Sequence, residues 1–261
     1  MKKQRTIKKK IRLSGNTLWA KGVTTLWLSP AEPGTGVVLR RVDMNPALDF
    51  KPKVRNASVE SNRVIIRNGQ FKLSFVEHLL AAIYGLGVDN ITVDIDGEEL
   101  PFFDGSSSEY VKAIKRAGIV EQDAPPEKLS IKKSFILISK GRVFYLSPAP
   151  RLGISYVFFH KGLNLRRFLD VGAIFARSIA PARTFASGTF PEFEYPFGVR
   201  KSKKLSFPYP ARFSDEMLRH KVLDMVGDLA LLGKQLAAHI WAFGTGHLQT
   251  HEAVKLLLKE T

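Results

Sequence analysis

The chain has 261 residues, 44% of them hydrophobic and 25% charged, with no cysteine and a formal net charge of +16. That length buries a proper core as one large domain or as two of about 130 residues. The lack of cysteine excludes a disulfide framework and any thiolate metal ligand, and no apolar run is long enough to cross a membrane as a helix.

Residues 1–10 are basic, but Arg12, Ser14, Gly15 and Asn16 interrupt any apolar stretch behind them, which is not the pattern of a secretory leader. A cytoplasmic location is therefore expected. The first forty-five residues alternate apolar and polar in short runs broken by Gly15, Gly22 and Pro33-Gly34, which predicts a β-meander, with a further strand at 37–42. Ser74 is placed to cap a helix running through about residue 84 and ended by Gly85-Leu86-Gly87. Residues 90–95 alternate as a strand, and Asp104-Gly105-Ser106 turns into a second helix ending at Ala117-Gly118. Around Asp123-Ala124-Pro125-Pro126-Glu127 the chain reads as a linker, after which the pattern starts again. Strands at 135–138, 143–146 and 154–159 precede a long amphipathic helix from about 214 to 238 and a last helix near 252–258. The expected fold is α+β. It comprises two similar domains, residues 1–123 and 124–261, each a β-sheet layered against α-helices.

The basic excess suits nucleic acid, an anionic membrane surface or a phosphate-bearing substrate. Its densest internal run, Val199-Arg200-Lys201-Ser202-Lys203-Lys204, interleaves no aromatics, and no helix-turn-helix, zinc-finger or RNA-binding signature accompanies it. A nucleic-acid partner is not expected.

The chemistry concentrates in Arg219-His220-Lys221-Val222-Leu223-Asp224-Met225-Val226-Gly227-Asp228. On a helix, residues four apart are offset by only about 40°, so His220 and Asp224 stand one turn above each other and Asp228 continues the stripe. An imidazole and a carboxylate so placed can share Zn²⁺, and Glu77-His78 offers a third ligand. Two His and one Asp leave a coordination position for water, the open arrangement of a catalytic zinc. The plainer alternatives are a helix-surface His/Asp pair and a polar first turn of an apolar helix. Because His78 falls in the first half and His220 in the second, a shared metal would sit between the domains.

Several blocks together carry a resemblance. They are Val76-Glu77-His78-Leu79-Leu80-Ala81-Ala82 with Gly85-Leu86-Gly87-Val88-Asp89-Asn90; Asp104-Gly105-Ser106; Ala182-Arg183-Thr184-Phe185; Arg219-His220-Lys221-Val222-Leu223-Asp224 with Gly227-Asp228; and Gly246-His247. In this order, across nearly the whole chain, the sequence resembles the bacterial UDP-3-O-acyl-N-acetylglucosamine deacetylases, zinc amidases of lipid A biosynthesis. The resemblance implies two α+β domains with zinc at their interface, held by His78, His220 and Asp224. Fe²⁺ suits such a His₂Asp set as well. It further implies Glu77 as general base, Thr184 as hydrogen-bond donor to the tetrahedral oxyanion, and His247, with Asp228 as its carboxylate partner, as the charged imidazole that protonates the leaving amine. Lys221 would lie at the sugar-phosphate region and Phe185 would be an aromatic substrate contact. The implied partner is a small UDP-amino-sugar bearing an acyl chain, with at most peripheral membrane contact and a monomeric chain. His160 carries no assigned chemistry, and His239 and His251 read as structural.

The sequence departs from the family pattern at three places. Trp19, within Gly15-Asn16-Thr17-Leu18-Trp19-Ala20-Lys21-Gly22, stands where the family has a histidine near the hexose, and Phe75 replaces the threonine before Val-Glu-His. The stretch 185–213 is shorter than usual and carries Phe190-Pro191-Glu192-Phe193-Glu194-Tyr195-Pro196-Phe197 instead of a glycine-rich insert. These departures leave open a related deacetylase acting on another N-acetylated sugar with a short acyl chain or none, Trp19 then being part of its binding site.

Overall fold

The computed structural model describes residues 2–159, 163–185 and 210–259. The first half runs β1 (Gln4–Ile7), β2 (Ile11–Asn16), β3 (Val23–Pro30), β4 (Val37–Arg41), β5 (Leu48–Phe50), β6 (Ala57–Glu60), β7 (Arg63–Asn68) and β8 (Phe71–Ser74). It continues with α1 (Val76–Gly85), β9 (Ile91–Ile95), α2 (Ser108–Ala117) and β10 (Ile119–Gln122). Strand β9 shows the expected alternation, burying Ile91, Val93 and Ile95 while Thr92 and Asp94 stay partly exposed. It is the centre of a sheet of order β2-β3-β9-β4-β5, antiparallel except where β4 runs parallel to β9. Strands β6, β7 and β8 form a small separate sheet, and β1 pairs with β10, tying the first residues to the end of this half.

The second half repeats the plan. It runs β11 (Lys128–Ser130), β12 (Phe135–Ser139), β13 (Arg142–Pro148), β14 (Gly153–Phe159), β15 (Leu163–Phe168), α3 (Val171–Ile174), α4 (Glu216–Leu229), β16 (Gln235–Phe243) and α5 (His247–Leu257). Its sheet has the order β12-β13-β16-β14-β15, again with a single parallel pair along that path, β14 beside β16. Strand for strand this matches the first sheet, with β16 in the place of β9. The helices correspond too: α1 and α4 each precede the central strand, and α2 and α5 each follow it.

Helix α1 is buried along its whole length, as a helix apolar on all sides must be, and it packs directly on α4. The crossing is tight at Gly227, where an added Cβ would lie 2.2 Å from the carbonyl oxygen of Glu77. Gly227→Ala is therefore expected to push the helices apart, costing about 1–3 kcal/mol of stability and displacing the Glu77-His78 turn. Thermal unfolding together with metal retention would check this; an unchanged midpoint with normal metal binding would contradict the close crossing.

Four sequence expectations need correction. The first forty-five residues do not form a meander: of their strands only β2 and β3 pair with each other, while β3 and β4 flank β9 and β1 pairs with β10. Ser74 does not cap α1: it ends β8, where its hydroxyl donates to the Glu98 carbonyl, and Phe75 takes the N-cap position at φ 60°. The long helix does not reach residue 238. Leu229 ends it, a short 3₁₀ turn follows, and Gly233 at φ 71° turns the chain into β16. The alanines of Gln235-Leu236-Ala237-Ala238 favour helix in isolation, which hides a strand that buries Leu236, Ala238, Ile240 and Ala242. The last helix begins at His247 instead of near residue 252. No helix among the described residues is long and apolar enough to cross a membrane.

Candidate metal centre and active site

The crossing of α1 and α4 brings the three suspected ligands together. His78, His220 and Asp224 are all buried, and one ligand atom from each lies within 4.8 Å of the others. The His220 Nε2 is 3.3 Å and the His78 Nε2 3.9 Å from Asp224 Oδ1. His220 Nδ1 sits 3.1 Å from the Ala182 carbonyl, which can only accept, so Nδ1 carries the proton and Nε2 presents a lone pair to the carboxylate. Burial, reinforced by the neighbouring His220, pushes the His78 imidazole down to about 3, and burial likewise lowers His220. Burial would raise the Asp224 carboxyl, but the charges around it, the Lys221 ammonium and the His247 imidazolium among them, outweigh this and hold it well below the usual carboxylate range. Neutral imidazoles and an ionised carboxylate thus converge with no shared proton between His220 and Asp224. That donor set fits a divalent cation preferring nitrogen and oxygen ligands.

Glu77 precedes His78 in the first turn of α1, and its carboxylate accepts the Val64 N–H at 3.1 Å. Burial raises it to about 8, against the pull of the His247 charge. On the far side of Asp224 stands a second polar group. His247 Nδ1 lies 3.0 and 2.8 Å from the two oxygens of Asp228, leaving its Nε2 4.0 Å from Asp224 Oδ2. Burial alone would lower the His247 pKa, but Asp228, as charge and as hydrogen-bond partner, reverses this and raises it to about 9. His251, one turn along α5, places Nε2 3.0 Å from Asp228 Oδ1. Read from sequence as structural, it forms the third member of a His247–Asp228–His251 group. The four-residue spacing of His247 and His251 on one helix was the available signal.

Lys221 and Phe185 also join the cluster. The Lys221 ammonium pairs with Asp224 Oδ2 at 3.0 Å and lies 5.3 Å from the centre of the Phe185 ring, which itself meets His220 edge-on at 6.1 Å. Thr184 is held beside the Asp104-Gly105-Ser106 turn: its N–H donates to the Gly105 carbonyl at 2.8 Å, and a Cβ on Gly105 would come 2.7 Å from its methyl group. Glu216, which no sequence motif singles out, anchors this segment by accepting from the Arg183 backbone N–H at 3.0 Å and from its guanidinium at 2.8 Å. Trp19 stands apart from the metal cluster, on a loop whose Leu18, Trp19 and Ala20 N–H groups donate to the Glu99 carboxylate. It connects to the centre through stacked groups: Arg63 lies 4.7 Å over the Trp19 ring, Phe75 meets Phe102 at 5.5 Å, and Phe102 is 6.4 Å from the His78 ring. His160, the aromatic stretch 190–197 and the basic run 199–204 lie outside the described residues.

The sequence profile of the family described as LpxC, UDP-3-O-acyl N-acetylglycosamine deacetylase, matches residues 4–194 and 199–259. The chain belongs to this family. Among curated UDP-3-O-acyl-N-acetylglucosamine deacetylases, that of Teredinibacter turnerae is 35% identical over 278 residues, covering 99% of this chain and 91% of the relative. That of Geobacter sp. strain M21 is 35% identical over 98% of this chain and 89% of the relative, and that of Helicobacter hepaticus 32% identical over 99% and 91%. The LpxC deacetylases are metalloenzymes that hydrolyse an amide bond, and the His78–His220–Asp224 group is the one such ligand cluster among the described residues.

Proposed function

We propose that this chain is the zinc-dependent amide hydrolase that removes the N-acetyl group from UDP-3-O-acyl-N-acetylglucosamine in lipid A biosynthesis, releasing acetate. The observation that carries this reading is the buried His78–His220–Asp224 cluster flanked by Glu77 and by a charged His247, in a chain of the deacetylase family. The domains are 1–123 and 124–261, and the site lies between them. His78, His220 and Asp224 hold the ion, zinc by preference, with Fe²⁺ suited to the same ligands. When bound, the ion supplies Lewis acidity that brings the pKa of a coordinated water toward neutrality and polarises the amide carbonyl.

The remaining steps belong to the chain's own groups. Glu77, held by the Val64 N–H, takes one proton as water attacks the acetamide carbonyl. The negative charge that develops on the carbonyl oxygen is met by a hydrogen bond from Thr184. As the C–N bond breaks, His247 gives a proton from Nε2 to the departing nitrogen. The products are acetate and a free amine on the sugar. Asp228 keeps His247 oriented and charged, and His251 in turn fixes Asp228. Lys221 and Phe185 offer a cation and an apolar face to the UDP-sugar, and Trp19 lines the approach to its hexose.

The His247 charge sets the alkaline limit. The imidazolium is lost as pH rises through about 9, so kcat/KM falls above that pH. His247→Gln is expected to lower kcat by about 100-fold and to abolish this limb. A retained limb would assign it to another group. The reading as a whole is tested by acetate release from UDP-3-O-acyl-N-acetylglucosamine compared with unacylated UDP-N-acetylglucosamine. Preference for the acylated sugar is expected, whereas preference for the unacylated one would move the substrate to the second reading that Trp19 and the altered 185–213 stretch leave open.

A further inference from the structure

Arg63 opens β7, and the peptide that joins it to Val64 supplies the N–H that holds Glu77. Its guanidinium lies between two rings, 4.7 Å from the centre of Trp19 and 5.7 Å from that of Phe75. Stacking on ring faces satisfies the positive charge but not the N–H groups, which point outward in the guanidinium plane. Both Nε and Nη1 are shielded from solvent and have no acceptor among the described residues. Nearby carboxylates are otherwise engaged: Glu60 pairs with Arg67, and Glu99 accepts three backbone N–H groups of the Trp19 loop. Buried donors of a charged group without an acceptor are costly and rare in a finished fold, so an acceptor that the chain itself does not supply is the simplest partner. A chain of ring contacts runs from this sandwich through Phe75 and Phe102 to the His78 ring, which places the fork at one end of a packed aromatic series whose other end is a metal ligand. Both rings occupy positions where this sequence departs from the family motif.

We infer that Arg63 is a specificity-determining residue whose Nε–H and Nη1–H bind oxygen atoms of the acylated hexose, its hydroxyls or its ester carbonyl, with Trp19 and Phe75 fixing the plane of the fork. The inference rests on the function proposed above. A planar fork suits paired oxygen acceptors in a way that a lysine ammonium does not. Because the fork would hold oxygens of the sugar and not the amide group that reacts, Arg63 contributes to binding in ground and transition states alike, and its loss raises KM while leaving kcat nearly unchanged.

The test is steady-state kinetics and zinc content of the full chain as wild type, Arg63→Ala and Arg63→Lys, on acylated and unacylated UDP-N-acetylglucosamine. The expected result is wild-type zinc content and a KM about tenfold higher in both variants, with added methylguanidinium restoring the KM of Arg63→Ala by entering the vacated slot between the rings. A penalty on both sugars assigns the fork to hexose hydroxyls, and a penalty on the acylated sugar alone assigns it to the ester carbonyl. Wild-type KM in both variants would overturn the inference, as would a joint loss of zinc, kcat and KM with no rescue, which marks a structural role. Absence of turnover by the wild type on either sugar would overturn the functional proposal, and this inference with it.

Discussion

Asp224→Asn is expected to lose the bound ion and, with it, measurable acetate release. Asp224 is the only anion in the ligand set, and its Oδ1 faces both imidazoles at 3.3 and 3.9 Å. The amide keeps the shape but withdraws the charge, leaving two neutral imidazoles beside the partly exposed Lys221 ammonium, which then repels an incoming cation instead of pairing with Oδ2. Loss of a supporting group one shell out already weakens metal sites by about 10–100-fold, and a charged first ligand is worth at least that. Zinc retained after dialysis against a weak chelator, measured beside acetate release, checks the expectation. Wild-type retention by the variant would show that the ion is held elsewhere.

Glu77→Gln has a different signature. The glutamine carbonyl can still accept the Val64 N–H, so the first turn of α1 keeps its place and the ligands are untouched. What disappears is the group that takes the proton from water, and a positioned general base is worth about 10²–10⁴ in rate. The variant should hold zinc as the wild type does while kcat falls by that factor with little change in KM. Loss of metal instead would make Glu77 a structural support of the site, and near-normal turnover would pass the base role to another group. Taken together, the two variants separate metal binding from proton transfer.

The difference between what sequence exposes and what folding adds is visible residue by residue. His220, Asp224 and Asp228 were legible because helical spacing alone aligns them, and α4 does place them on its buried side. Glu77-His78 could be offered as a further ligand pair from residue type alone, whereas His247 was recognisable only in the company of its motif, since nothing local brings residues from three helices to one point. His251 and Glu216 escaped because each acts through a partner distant in sequence, Asp228 in one case and Arg183 in the other. Arg63 escaped for the same reason, its sandwich drawing rings from the β2–β3 loop and the start of α1. In the fold, the alternating strands of the first sheet were readable from their pattern. Strand β16 was not, because Ala237, Ala238 and Ala242 carry little strand preference of their own and acquire their place from the sheet they complete. That the two halves share one strand order became apparent only from pairing, a property no local pattern encodes.

The central claim is that one divalent ion, held by His78, His220 and Asp224, is required for amide hydrolysis by this chain. The most direct measurement is metal content and acetate release on the same preparation of wild-type protein, before chelation, after chelation and after zinc is returned. One zinc per chain, with turnover of UDP-3-O-acyl-N-acetylglucosamine lost on chelation and recovered on reconstitution, is the predicted result. Undiminished acetate release from metal-free protein, or failure to bind zinc at all, would contradict it.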